Sequence, residues 1–194
     1  MRASLLWAVA ALVIAAPVSA ARIVAYPIDD ATVLKDGGEQ GLTPSRTPAK
    51  GTKQIALQLA PDLDHEVMRV GIACSAWKVQ NPIGALIRDM LAAHDPDGRI
   101  DNGSPATAIS VAVKHAGTLS RCVTSGDLSG TCITRVSIDA SLSDGAGANP
   151  RPIHVEVEQS TRSIGVCAGL TRGIGLISRE AVIKLITAID APTP

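Results

Sequence analysis

The chain has 194 residues, equal numbers of basic and acidic side chains, and few aromatics: one tyrosine, two tryptophans and no phenylalanine. No run of like charge and no Lys/Arg stripe interrupts that balance, so neither nucleic acid nor an anionic membrane surface is an expected partner. With stacking platforms for bases or sugars nearly excluded, the core has to be built from Val, Ile, Leu and Ala.

Met1-Arg2 is a short positive start, Leu5 to Ala16 is uncharged and apolar, and Pro17-Val18-Ser19-Ala20 offers small residues where a signal peptidase reads. Residues 1–20 therefore read as a signal peptide, since the apolar run falls short of the ~20 residues a bilayer span needs. No cysteine stands at the cleavage junction, so a lipid-modified N-terminus is not indicated. The expected location is periplasmic or secreted. Cys74, Cys122, Cys132 and Cys167 all lie in the exported part, and an even count in an oxidising compartment predicts two disulfides. No CxxC or His-rich spacing supports a metal site instead.

In the exported part, residues 21–53 read as an extended leader with one short strand before Pro27, because Gly37-Gly38, Thr43-Pro44 and Thr47-Pro48 leave no apolar period. An α+β domain follows over residues 54–191. Gln54 to Leu59 alternates as a half-buried strand, and Val67 to Trp77 reads as another, with Val70, Ile72, Cys74 and Ala76 on one face. Asn81-Pro82 opens a helix, Asn as N-cap and Pro in the first turn, and Ile83, Ile87, Met90 and Leu91 form its stripe. His94-Asp95-Pro96-Asp97-Gly98 stops it.

Thr107 to Ser160 then reads as a three-strand meander. Ile109, Val111 and Val113 alternate with polar or small residues, as do Val136, Ile138, Ala140 and Leu142, and then Ile153, Val155 and Val157. Each strand has one apolar and one wetter face, as in an antiparallel sheet with one solvated side. The glycine-rich Ile164 to Gly175 reads as a connection, and a closing helix is expected near Ser178 to Asp190, with Ser178 as N-cap. The expected fold class is α+β: an antiparallel sheet, made of the meander plus one or two N-terminal strands, packed by two helices.

The cysteines sharpen this. A hairpin centred on Asp127 sets Cys122 opposite Cys132, close enough for a cross-strand bond. Carried outward, that register pairs even with even residues, whereas the apolar face is odd in the first strand and even in the second. A one-residue offset is needed, and His115-Ala116-Gly117-Thr118 is the natural place for a bulge near Gly117. Cys122–Cys132 with Cys74–Cys167 is the favoured pairing.

Candidate chemistry is sparse. Asp95, Asp97 and Asp101 surround Gly98 in a faintly calcium-like loop, but Ser104 stands where the bidentate glutamate belongs, and an aspartate-rich helix stop explains the same residues. Arg172-Gly173-Ile174-Gly175 before a helix could hold an anion, yet it completes neither a P-loop nor a dinucleotide fingerprint. His65, His94, His115 and His154 are dispersed and read as surface or core-edge residues, His154 on the wet face and His115 among the apolar side chains. Gly-x-Ser-x-Gly is absent. No cofactor is implied. The wet face, with Lys114, Asp139, His154, Glu156 and Glu158 nearby, reads as scaffold and contact surface.

The helix Pro82 to Ala93, the strand Val136 to Leu142 with its Ser143-Asp144-Gly145 turn, the strand Ile153 to Glu158 and the closing helix together resemble auxiliary lipoproteins of ABC-type transport systems and related outer-membrane lipoproteins. The likeness runs over Val67 to Ala191 as a pattern of elements, and the missing lipid-attachment cysteine departs from it. It implies a non-catalytic envelope accessory or binding protein, whose partner is an envelope protein or a small apolar ligand. The alternative is a secreted hydrolase with a dispersed His/Asp/Ser site, which requires a histidine polarised in a compact cleft.

Overall fold

A computed structural model describes residues 20–26, 49–70, 78–97, 100, 108–125, 129–144, 150–164 and 166–192. The signal-peptide reading, most of the leader, and Cys74 and Asp101 with their neighbours lie outside these residues. The elements in order are β1 (Arg22–Ile23), β2 (Ile55–Leu59), β3 (Val67–Arg69), β4 (Lys78–Gln80), α1 (Ile83–His94), β5 (Ile109–Ser125), β6 (Ser129–Asp144), β7 (Arg151–Ile164) and α2 (Val166–Asp190).

The meander of β5, β6 and β7 is antiparallel throughout. The expectation of a purely antiparallel sheet is nevertheless corrected. β2 runs parallel to β5, from Ile55 opposite Ile109 to Leu59 opposite Val113. A parallel neighbour needs a long crossover, and β3, β4 and α1 supply it. β1, β4 and β3 form a second, three-stranded sheet in which β1 and β4 are also parallel. The single strand expected over Val67 to Trp77 is likewise corrected: β3 ends at Arg69, and Val67 pairs antiparallel with Gln80 and Arg69 with Lys78, while residues 71–77 lie outside the description.

The two sheets share α2. One face of the larger sheet packs on both helices, with Val111, Val136 and Ile138 against Ile87 and Leu91 of α1 and Ile177 and Leu185 of α2. A second, smaller core gathers Val24, Val70, Val79 and Cys132 around Leu170 and Ile174 of α2. This explains why α2 begins at Val166, well before the expected Ser178. Glycine costs about 1 kcal/mol relative to alanine in a helix, but burial of a Leu or Ile returns about 1.5–3 kcal/mol. Leu170, Ile174, Leu176 and Ile177 are all buried along this stretch. Gly173 and Gly175 therefore lie inside a helix, and their backbone does not form an anion loop.

Register is the feature that positions everything else. Val113 sits opposite Ala140, but His115 sits opposite Asp139, so Lys114 is the extra residue of a β-bulge. Beyond it Ala116 faces Ile138, and Cys122 faces Cys132 with Cα atoms 4.0 Å apart and a disulfide between them. The offset required by the cysteines exists, but it falls before His115 and not at Gly117. The placement has a physical reason: it keeps Val113 and Ala116 inside, at 2 % and 5 % exposure, while turning the polar His115 out to solvent. His115 thus joins the wet face, contrary to the expectation that it packs among apolar residues.

Candidate functional site: the outward face beyond the bulge

Past Lys114 the alternation of β5 is reversed, and hydroxyl residues take the inner positions. Ser120 and Thr134 are buried and hydrogen-bonded to each other at 3.0 Å. Thr161, also buried, donates to the Cys132 carbonyl at 3.4 Å. The apolar residues stand outside: Leu119 is 54 % exposed, Ile133 48 % and Val123 74 %. Across the strands the outward rows read Leu119-Arg135-Glu158, Arg121-Ile133-Ser160 and Val123-Thr131-Arg162. Arg135 is held within this face by Glu158, its guanidinium donating at 2.6 and 2.8 Å, with Glu156 at 3.6 Å. A groove of about 370 Å³ runs over Leu119, Arg121, Ile133, Arg135 and Glu158. Sequence alternation alone does not reveal this patch, because only the bulge sends Leu119 and Val123 outward.

At the bulge itself a cleft of about 290 Å³ is lined by Asp62, Leu63, His65, Glu66, His115 and Ala116. A β-carbon added to Gly117 would lie 3.3 Å from His115 Nε2 and 3.4 Å from Ser137 Oγ, so glycine leaves room for the imidazole. Among the described residues, the histidine hydrogen bonds run to a backbone carbonyl and to carboxylates, and no serine hydroxyl engages a histidine. His94 is buried, with one ring nitrogen on the Ala49 carbonyl and the other 3.0 Å from Asp190, where it fastens α1 to the end of α2. His154 Nδ1 lies 2.7 Å from Asp139 on the wet face, and that hydrogen bond raises the histidine's pKa above its ordinary value.

Behind the cleft lies a buried polar junction between the two cores. Asn81, 5 % exposed, donates to Thr118 Oγ1 at 2.9 Å and to Ser178 Oγ at 3.0 Å, and its carbonyl accepts the Tyr26 hydroxyl. Burial pushes the Tyr26 phenol above its usual pKa, against a weaker opposite pull from Ser178 and Arg179. Neither expected side-chain cap therefore acts as one: the Asn81 side chain makes no capping bond to α1, although its backbone carbonyl accepts the Ile83 N–H at 2.8 Å, and Ser178 is a buried mid-helix hydroxyl. Asp64 serves α1 instead, accepting the Ala85 N–H at 3.1 Å, and its negative charge suits a helix N-terminus.

Of the three aspartates weighed for calcium, Asp95 and Asp97 are engaged in structural bonds, and Asp101 lies outside the described residues. Asp95 is 1 % exposed, and its two oxygens accept the N–H groups of Ile55 and Asp97, each at 2.9 Å. Asp97 accepts the Gln54 side chain at 2.6 Å. Among the described residues, no group of three His, Cys, Asp or Glu is placed to hold a metal ion, and no helix is long and apolar enough to cross a membrane. The side chain of Cys167 and the whole of Cys74 are outside the description.

No protein-family model and no curated protein matches this sequence. Solved structures of similar shape include a minor lipoprotein from Acinetobacter baumannii, at 9 % identity and TM-score 0.40, over 74 % of this chain and 90 % of that one. Rare lipoprotein B from Shewanella oneidensis matches at 10 % identity and TM-score 0.40, over 70 % and 89 % respectively. An uncharacterized lipoprotein B from Nitrosomonas europaea matches at 12 % identity and TM-score 0.45, over 78 % and 92 %. With every TM-score below 0.5 and identities near a tenth, no function follows from these likenesses, and none singles out the ABC-transport auxiliary type.

Proposed function

We propose that this chain is a non-catalytic accessory protein of the cell envelope, exported to the periplasm or beyond, that works by contact through the outward face past the bulge. The observation that supports this most is the reversed burial there: Leu119, Val123 and Ile133 meet solvent while Ser120, Thr134 and Thr161 are buried. Apolar side chains held outward on a rigid sheet mark contact surfaces when they cluster. The Cys122–Cys132 bond fits an oxidising compartment. Site-specific photo-cross-linking in cells tests the reading. A photoreactive residue at Ile133 is expected to give a discrete adduct, and the same residue at Ser141, on the proximal wet face, none. Equal labelling at both positions, or at neither, overturns it.

A further inference from the structure

The edge strand β2 carries a groove of its own, away from the outward patch. A volume of about 360 Å³ is lined by Leu57, Gln58, Leu59 and Arg88. Leu57 and Leu59 turn their side chains toward the core, whereas Gln58 stands exposed on the opposite face of the sheet. A groove that meets residues of both faces runs along the strand edge, where main chain forms its floor. Arg88 is the one charged residue in the lining. It is exposed, and among the described residues no carboxylate pairs with it.

The parallel ladder decides which peptide groups face that groove. The Gln54 carbonyl accepts the Ile109 N–H at 2.9 Å, and the Ala60 N–H donates to the Val113 carbonyl at 3.0 Å. Even-numbered residues of this stretch therefore turn their main-chain groups toward β5, and Ile55, Leu57 and Leu59 turn theirs to the free edge. Ile55 bears out the parity: its N–H donates to an Asp95 carboxylate oxygen at 2.9 Å, and Ile100 lies beside it in a parallel bridge. The chain thus closes the first edge position with a carboxylate and an extended residue. Among the described residues, no strand continues that pairing along Leu57 and Leu59.

Helix α1 sets Arg88 beside the open positions. Asp95, just past its end, reaches Ile55, while Asp64, beyond the end of β2, bonds to Ala85 near its start. The helix therefore runs counter to the strand. Seven helical residues at about 1.5 Å each match three strand residues at about 3.4 Å, which brings Arg88 level with Gln58.

We infer that this edge binds the C-terminal end of an extended peptide, added as a short parallel strand with its carboxylate on Arg88. Parallel addition continues the direction set by Ile100 and places the terminal carboxylate at the Leu59 end. Antiparallel addition would carry it toward Asp95, which repels it. Three peptide residues fill the site. The carbonyl of the first accepts the Leu57 N–H, and the N–H of the third donates to the Leu57 carbonyl. The terminal carboxylate accepts the Leu59 N–H and the guanidinium. Main-chain bonds supply the affinity, and the cation selects a free terminus.

An NMR titration of the full exported chain with acetyl-trialanine is the experiment. The free-acid peptide is expected to shift the amide signals of Leu57 and Leu59, and its C-terminal amide to bind about tenfold more weakly. Arg88→Gln, at an exposed position, should weaken binding of the acid by the same factor and erase the preference for acid over amide. Circular dichroism checks that this variant keeps the fold. Acetate alone should leave both signals in place. Leu57 and Leu59 signals that do not move with the free acid overturn the site. Equal binding of acid and amide by the unaltered protein overturns recognition of the terminus, and acetate that reproduces the shifts overturns strand addition.

Discussion

Between Ile109 and Val113, β5 buries its aliphatic residues and leaves the small Ser110 and Ala112 half-buried on the other face; beyond Lys114 the same strand buries Ala116 and Ser120 and shows Leu119 and Val123. The distal stretch is richer in hydroxyl residues than the proximal Ile-Ser-Val-Ala-Val, yet in both the large aliphatic residues stand an even number of positions apart. The difference is one residue of register, since side chains along a strand alternate with period two and a single insertion exchanges the faces. The proximal half is therefore a conventional wall of a hydrophobic core. The distal half trades much of that burial for hydroxyl pairs inside and an apolar surface outside. One strand thus buries its aliphatic side chains at one end and presents them to solvent at the other.

Deleting Lys114 should break this comparison most severely. Without the extra residue, keeping Val113 inward turns Cys122 away from Cys132, and keeping the disulfide turns Val113 into solvent. A loss on the order of 4 kcal/mol or more is expected in urea unfolding. A variant that kept both its midpoint and its disulfide would show that the bulge is dispensable. A smaller contrast lies within β6. Ile138→Ala, at a position that is 0 % exposed, should cost about 2–5 kcal/mol. Ile133→Ala, five positions earlier on the outward face, should stay within about 0.5 kcal/mol for the monomer. Similar costs at the two sites would mean that Ile133 is not free of the core.

The smallest effect concerns His154. Its hydrogen bond to Asp139 raises its pKa above the ordinary 6.5, so the protonated pair stabilises the fold at pH values below the unfolded-state value. That contribution disappears as pH rises through the raised, folded-state value. Asp139→Asn should bring the His154 titration midpoint, followed by NMR, back toward its ordinary position. A midpoint that does not move would place the cause elsewhere on the wet face.

Much of the frame is legible in the sequence because period-two runs such as Val136-x-Ile138-x-Ala140 admit one reading, and the cysteine spacing requires a one-residue offset in β5. The position of the bulge is not legible locally, because Gly117 carries the usual signature while the surroundings of Val113, Ala116 and His115 in three dimensions set it at Lys114. Asn81 looked like a cap because Asn-Pro is a common helix opening, yet a buried junction with Tyr26, Thr118 and Ser178 claims its amide. The glycines ahead of Ser178 hid the first half of α2, since the second core that holds it there draws on Val24, Val79 and Cys132, far away in sequence. The outward patch was invisible for the same reason as the bulge: local alternation cannot report a register that is set elsewhere.

The lone tyrosine has an optical consequence. Its hydroxyl is tied to Asn81 where the two cores meet, and burial resists ionisation of the phenol. Because the chain contains no other tyrosine, tyrosinate absorbance at alkaline pH comes from this one ring. The chromophore therefore reports, without any label, whether the joint between the larger and smaller sheets is open or shut.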